Sequence, residues 1–238
     1  MCEEAACKKK DRFCVLMVFS ATYCVFVRII HRKIGDETMN YYISDLHLFH
    51  KNVTKEGRDF DGRPYDTIAD MHADIMEKWN NKITNGDTVY ILGDMSMRGT
   101  KEDLIAFVAQ LKGHKVLICG NHDDVSDLRY RQLFDEVCDY KEITDRIGKE
   151  TVHLVLCHYP ILMWKNQHYG WILLYGHTHN TEENRFFQEC LERMNQEDFG
   201  SRRLGEQRIR AYNVGCMLPY MYYEPRRLEE IVDYGDQI

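Results

Sequence analysis

The sequence is short of proline, of cationic charge and of long apolar runs, and each shortage excludes something. Four prolines and 15 glycines in 238 residues leave no room for a Pro/Gly-rich low-complexity arm. A formal net charge of −7 and an isoelectric point near 5.9 argue against a protein whose main work is coating nucleic acid, which would be basic. An anionic substrate stays open if the site carries its own cations. Nine cysteines are present, yet no C-x-x-C pair occurs. Four of them fall in the first 24 residues; the other five, Cys119, Cys138, Cys157, Cys190 and Cys216, are far apart and odd in number. Free, mostly buried thiols in a reducing compartment fit this better than a disulfide framework. The apolar run from Phe13 to Val27, broken by Ser20 and Thr22, is shorter than the roughly 20 residues a spanning helix needs, although Ile29 and Ile30 extend it past Arg28.

Residues 1–38 differ in kind from the rest. Lys8, Lys9, Lys10 and Arg12 precede the apolar run, and Arg28, Arg32 and Lys33 follow it. A basic flank before an apolar stretch has the shape of a signal anchor, here over residues 13–30, but no small-x-small cleavage site follows. Three readings compete: a membrane anchor, an extra element packed on the domain, or an extension translated from a mis-assigned start. The last is preferred, because Met39 leads directly into a strand and a polar loop. The expected organisation is an extension over 1–38 and one domain over 39–238. The extension holds seven Lys+Arg against five Asp+Glu, so the domain alone is more acidic, at 24 against 33. Cytoplasmic localisation follows from the preferred reading, with anchoring at the membrane as the alternative.

From Met39 onward, short apolar runs alternate with amphipathic stretches, the pattern of an α/β architecture. Strands are expected at 41–44, 88–92, 115–119, 137–145, 151–157, 172–175 and 208–214. Thr67-x-x-Asp70 reads as a capping box opening a helix with Ile68, Met71, Ile75, Trp79 and Ile83 on one face. Thr100-x-x-Asp103 opens a second, with Leu104, Phe107, Val108 and Leu111 inward. A surface helix over 183–195 would turn Phe186, Phe187, Cys190, Leu191 and Met194 to the core. Pro225 would sit in the first turn of a final helix carrying Leu228, Ile231 and Val232. The 181–207 stretch alone is long enough to form a partial lid.

Five of the apolar runs end in clusters rich in His, Asp and Asn. Ligand sites in open α/β sheets gather at the carboxyl ends of strands, so such endings bring distant residues into one place. The set is Asp45, His47, Asp94, Asn121, His122, His158, His177 and His179. Imidazole, carboxylate and amide oxygen suit borderline divalent metals such as Mn, Fe, Zn, Co or Ni. Eight groups exceed what one metal needs, and Asp94 is able to bridge two.

Asp45-x-His47, Gly93-Asp94, Gly120-Asn121-His122-Asp123, His158 and Gly176-His177-x-His179, in that order, resemble the calcineurin-like metallophosphoesterase superfamily across roughly residues 40–216. Ser44-Asp45-Leu46-His47-Leu48-Phe49-His50, with Arg63-Pro64, resembles a group of small bacterial and phage phosphoesterases. The resemblance implies a sandwich of two β-sheets flanked by helices, in four layers α/β/β/α. It implies two divalent ions, Mn foremost, with Asp45, His47 and His179 on the first, Asn121, His158 and His177 on the second, and Asp94 between them. It implies a hydroxide shared by the metals as nucleophile and His122 as donor to the leaving oxygen. The expected reaction is hydrolysis of a phosphomonoester or phosphodiester, with a small soluble or nucleotide substrate preferred. A nuclease and a non-catalytic metal-binding scaffold are the alternatives, and no stable nucleic-acid complex is expected.

One departure stands out. In protein phosphatases of this superfamily the second motif reads G-D-x-x-D-R-G; here it is Gly93-Asp94-Met95-Ser96-Met97-Arg98-Gly99. Met97 replaces the carboxylate that would orient the catalytic histidine, so His122 needs another partner. Arg98 and His50 are candidates for substrate contact. Asn52, Arg58 and Arg63 read more readily as surface charge. Arg202, Arg203, Arg208 and Arg210 read as a solvated face, and His72, His114, His153 and His168 as ordinary structural residues.

Overall fold

The computed structural model describes residues 38–197 and 208–235. The expectations for residues 1–37, part of the anticipated lid, and Arg202 and Arg203 lie outside the described residues. Among those described, no helix is long and apolar enough to cross a membrane.

Four short strands, β1 (Asn40–Ile43), β2 (Thr88–Ile91), β3 (His114–Ile118) and β4 (Glu136–Cys138), form a parallel sheet in that order. The connections run through α1 (Ile68–Lys82), α2 (Lys101–Val108) and α3 (Leu128–Arg131). A second sheet holds β5 (Tyr140–Ile147), β6 (Glu150–Cys157), β7 (Ile172–Tyr175) and β8 (Ala211–Asn213), with only β5 and β6 antiparallel. The helices α4 (Glu182–Gln196) and α5 (Leu228–Gly235) complete the chain.

The layering follows from alternation along β6 and β7. Leu154, Leu156, Ile172 and Leu174 share a core with Ile43, Ile91 and Leu117 of the first sheet. Their neighbours Val155, Cys157, Leu173 and Tyr175 point the other way and pack with Phe187 and Leu191 of α4. A strand covered on both faces reads as a continuous apolar run, as Ile172–Tyr175 does. Two sheets face to face with helices outside give the expected four-layer α/β/β/α sandwich.

The capping box at α1 is formed in both directions, Thr67 accepting from the Asp70 amide and Asp70 accepting from the Thr67 amide. The helix buries Met71, Ile75 and Trp79, and the Trp79 indole donates to the Lys112 carbonyl at 3.0 Å. The turn between β5 and β6 falls at Gly148, with φ of +59°. All five cysteines of the described residues are free thiols, with Cys157 and Cys216 buried.

Three expectations need correction. The run at 137–145 is two strands in different sheets: β4 ends at Cys138, β5 starts at Tyr140, and Asp139 alone carries the chain across. No glycine or proline marks the change, so the sequence pattern runs straight through it. On α4, Phe187 and Leu191 are buried but Phe186 is 67% exposed. A step of one residue turns the side chain about 100° around the helix, too far to share the buried stripe. Pro225 precedes α5 altogether, and Arg226 after it pairs with Tyr42 in an isolated antiparallel bridge along β1.

Candidate metal centre

The motif residues stand on loops leaving the carboxyl ends of five strands. Backbone hydrogen bonds zip these loops together: Asp45 N to Gly93 O at 3.0 Å, His47 N to Asp94 O at 3.0 Å, and Gly176 N to His158 O at 2.9 Å. Beyond β1 the chain joins the second sheet, with Ser44 N donating to Val214 O and Cys216 N to Ser44 O. The two sheets therefore share a seam under the site.

Five of the clustered residues hold a left-handed backbone: Asp45 (φ 56°), His47 (48°), Asp94 (54°), His177 (69°) and His179 (48°). Non-glycine residues adopt this region at a cost of order 1–3 kcal/mol each, and they persist there only where the surroundings over-determine them. The motif glycines explain part of that over-determination. A Cβ at Gly93 would meet His158 Nδ1 at 2.4 Å, and one at Gly120 would meet Asp94 Oδ1 at 2.3 Å. These positions are glycine because the site's own side chains occupy the space.

Two groups of ligating atoms converge, each lying within 4.8 Å of one another: Asp45, His47 and His179 in one, Asp94, His158 and His177 in the other. Asn121 joins the second, its Oδ1 lying 3.2 Å from His158 Nε2. Asp94 touches both, with Oδ2 3.6 Å from His47 Nε2 and Oδ1 3.6 Å from His158 Nε2. Every metal ligand expected from the motifs is thus in one place.

The outward nitrogens show what the inward ones are. His158 Nδ1 faces the Leu92 carbonyl at 2.7 Å, and His179 Nδ1 faces the Asp61 carboxylate at 2.9 Å. Both partners are acceptors, so both Nδ1 atoms carry hydrogen, and in a neutral ring Nε2 is then the nitrogen with the lone pair. Across the centre, His177 Nδ1 stands 3.2 Å from His158 Nε2, and His47 Nε2 stands 2.9 Å from His179 Nε2. Ring nitrogens this close, surrounded by carboxylate and amide oxygens, form a set of acceptors that suits cations. Burial pushes the His47 imidazole well below the usual histidine range, with His179 and Arg63 adding to it. Burial likewise lowers His177, with His158 second. Neutral imidazole is the ligating form.

His122 is 31% exposed and sits over the centre, its Nε2 3.9 Å from Asp94 Oδ2 and its ring 5.7 Å from that of His47. At 3.9 Å Asp94 is too far to take the orienting hydrogen bond that Met97 cannot accept; it accepts instead from the His122 amide at 3.0 Å. His50 is buried beside His47, ring to ring at 6.0 Å. Its imidazole is lowered by burial first and then by the positive charge of Arg98. Arg98 itself is exposed.

Arg63 corrects the sequence reading. It is 1% exposed, not a surface charge: it donates to the Asp45 and Leu46 carbonyls, each at 2.9 Å, and to the Asp61 carboxylate at 3.0 Å. Asp61 passes the contact on to His179. Burial acts to raise the Asp61 carboxyl, but the bonds from His179 and Arg63 outweigh it and hold the group below its ordinary range. Asp61 was not anticipated, and neither was the role of Asp123. The Asp123 carboxylate accepts from the amides of Asp94, Met95 and Gly120, fixing the loop that carries Asp94. Burial pushes its carboxyl above the usual range, against those three donors. Asn213, at the end of β8, donates to the His179 carbonyl at 3.0 Å, and His72 Nε2 accepts from the Phe49 amide at 3.0 Å. A signal existed for Asp123, which lies inside a motif; none existed for Asp61.

A family model of calcineurin-like phosphoesterases matches residues 41–214. The gene 66 protein of Mycobacterium phage D29 is 32% identical over 162 residues, covering 59% of this chain and 78% of its own length. An uncharacterized protein of Methanocaldococcus jannaschii is 30% identical over 140 residues, 58% of this chain and 68% of its own. In fold, the chain is similar to the crystal structure of a protein of unknown function from Aquifex aeolicus, at a TM-score of 0.57 and 22% identity, over 83% of this chain and all of that one.

Proposed function

Since the chain belongs to the calcineurin-like phosphoesterase family, we propose that it hydrolyses a phosphate ester at two divalent cations. Asp45, His47 and His179 hold one, Asn121, His158 and His177 hold the other, and Asp94 is shared. The observation that carries this reading is the pair of converging ligand groups joined through Asp94. When bound, such cations lower the pKa of a coordinated water towards neutrality and offset charge on phosphoryl oxygens.

The chain's own residues supply the rest. Asp61 and the Leu92 carbonyl fix the tautomers of His179 and His158, so the lone pairs face inward without rearrangement. His122, exposed at the mouth, gives a proton to the leaving oxygen. His50 and Arg98 lie on the His47 side and contact the phosphoryl group, where a guanidinium matches paired oxygens. A small phosphodiester or a nucleotide is the preferred substrate. The site's cations, not the net charge of −7, attract it.

The test is turnover of a generic aryl phosphodiester by the purified chain with Mn. Hydrolysis is expected, and on a diester with an alkoxide leaving group, such as dithymidine monophosphate, His122→Ala should lower kcat by about 10²–10⁴-fold, the range for losing a general acid, with metal binding unchanged. No turnover with any divalent metal would leave a metal-binding scaffold instead.

A further inference from the structure

Two aromatic rings frame the centre, and neither is needed to build it. Phe60 is 49% exposed and lies against the first group, its ring 5.4 Å from His179 and 6.0 Å from His50. Tyr159 is 43% exposed and lies against the second, edge-on to His177 at 4.8 Å and to His158 at 5.0 Å. A large apolar ring left half in water beside a charged centre invites a partner with an apolar face. Each ligand group has one such ring, so the rings border the reacting position at two places. A phosphomonoester carries one organic substituent; a phosphodiester carries two.

We infer that Phe60 and Tyr159 are the two stacking surfaces for a phosphodiester that bears a planar ring system on each ester oxygen, as a dinucleotide does. This rests on the phosphoesterase reading and names the substrate class of that site. The assignment of sides follows from His122. Its ring neighbours His47, in the group that Phe60 borders. A proton given by His122 goes to the leaving oxygen, so the leaving group stacks on Phe60 and the retained group on Tyr159. Water's oxygen bonds to phosphorus and releases one proton to solvent, the bond from phosphorus to the leaving oxygen breaks, and that oxygen takes the proton of His122, which solvent restores. Stacking is indifferent to base identity, because every base has a flat face. Long nucleic acid would also need a track of cations along its backbone, so a short diester is the occupant.

The test compares two diesters with the same leaving group, bis(4-nitrophenyl) phosphate and methyl 4-nitrophenyl phosphate, on the Mn-loaded chain. They differ only in the retained group. Tyr159→Ala should lower the ratio of their kcat/KM values by about tenfold, near the low end of what one stack is worth. Tyr159→Phe, which keeps the ring and loses the hydroxyl, should keep the ratio. Phe60→Ala should lower both values together and leave the ratio alone. Damage to the metal centre would also lower both together, so a Tyr159→Ala loss shared equally by the two esters overturns the inference. A second readout avoids turnover. In the His122→Ala background, calorimetry should show dithymidine monophosphate binding about tenfold more weakly once Tyr159 is alanine. Equal binding would overturn the inference as well. If the chain hydrolyses neither ester with any divalent metal, the phosphoesterase reading falls and this inference with it. If both are hydrolysed and the ratio does not move, this inference alone falls.

Discussion

The two ligand groups are alike in chemistry and unlike in support. The first is braced by side chains: His179 bonds to Asp61, and Asp61 to Arg63, which is itself fully buried and reaches back to the Asp45 and Leu46 carbonyls. In the second the histidine is braced by backbone: His158 bonds to the Leu92 carbonyl at the end of a parallel strand, while the loop of the shared Asp94 has its amides gathered by the Asp123 carboxylate. The difference teaches where each can be disturbed. The first is open to substitutions 16 to 18 positions from Asp45 in sequence. No side-chain change removes the carbonyl that orients His158.

Asp94 is the point where the comparison should vanish. Asp94→Asn removes a charge that both groups use, and turnover should fall about 10³-fold, equivalent to ~4 kcal/mol of lost charge stabilisation. Steady-state kinetics with saturating metal checks it. A loss confined to one metal equivalent would show that the groups are independent.

Arg63→Met should expose the side-chain brace most severely. It leaves the Asp61 carboxylate buried without its cation, which costs about 3 kcal/mol or more, read as a lower midpoint in urea. A surface arginine would move the midpoint little, which was the expectation from sequence.

Asp61→Asn is the sharper test of asymmetry. The amide fills the same space but holds the His179 tautomer poorly. Metal affinity should fall about 10–100-fold at one site only, visible by calorimetry as two classes of binding where one class was weakened. Equal weakening of both would refute the division between side-chain and backbone support.

The smallest effect tests the scaffold away from the centre. Thr67→Ala removes the capping box of α1 and should cost about 1 kcal/mol, without changing metal stoichiometry.

Much of this was legible in the sequence because the information was local. A strand ending in Gly-Asp or Gly-His-x-His marks both the element and a candidate ligand, and their order along the chain carried the resemblance that implied the sandwich. What escaped was non-local or conformational. Asp61 and Arg63 lie in an irregular loop around Gly62, where no period says which way a side chain points. Their role exists only because the loop folds under Asp45. The left-handed backbone at five site residues is equally silent, since aspartate and histidine do not announce it as glycine would. The switch of sheets at Asp139 leaves no turn residue behind. Phe60 and Tyr159 adjoin nothing in the motifs except His158, and only the folded rim shows their pairing with opposite ligand groups.

We propose that two adjoining groups of side chains hold two cations. The most direct measurement is anomalous scattering from crystals of the full chain soaked in Mn. Two peaks are expected, one among Asp45, His47 and His179 and one among Asn121, His158 and His177, with Asp94 touching both. A single peak, or peaks away from these residues, would contradict it.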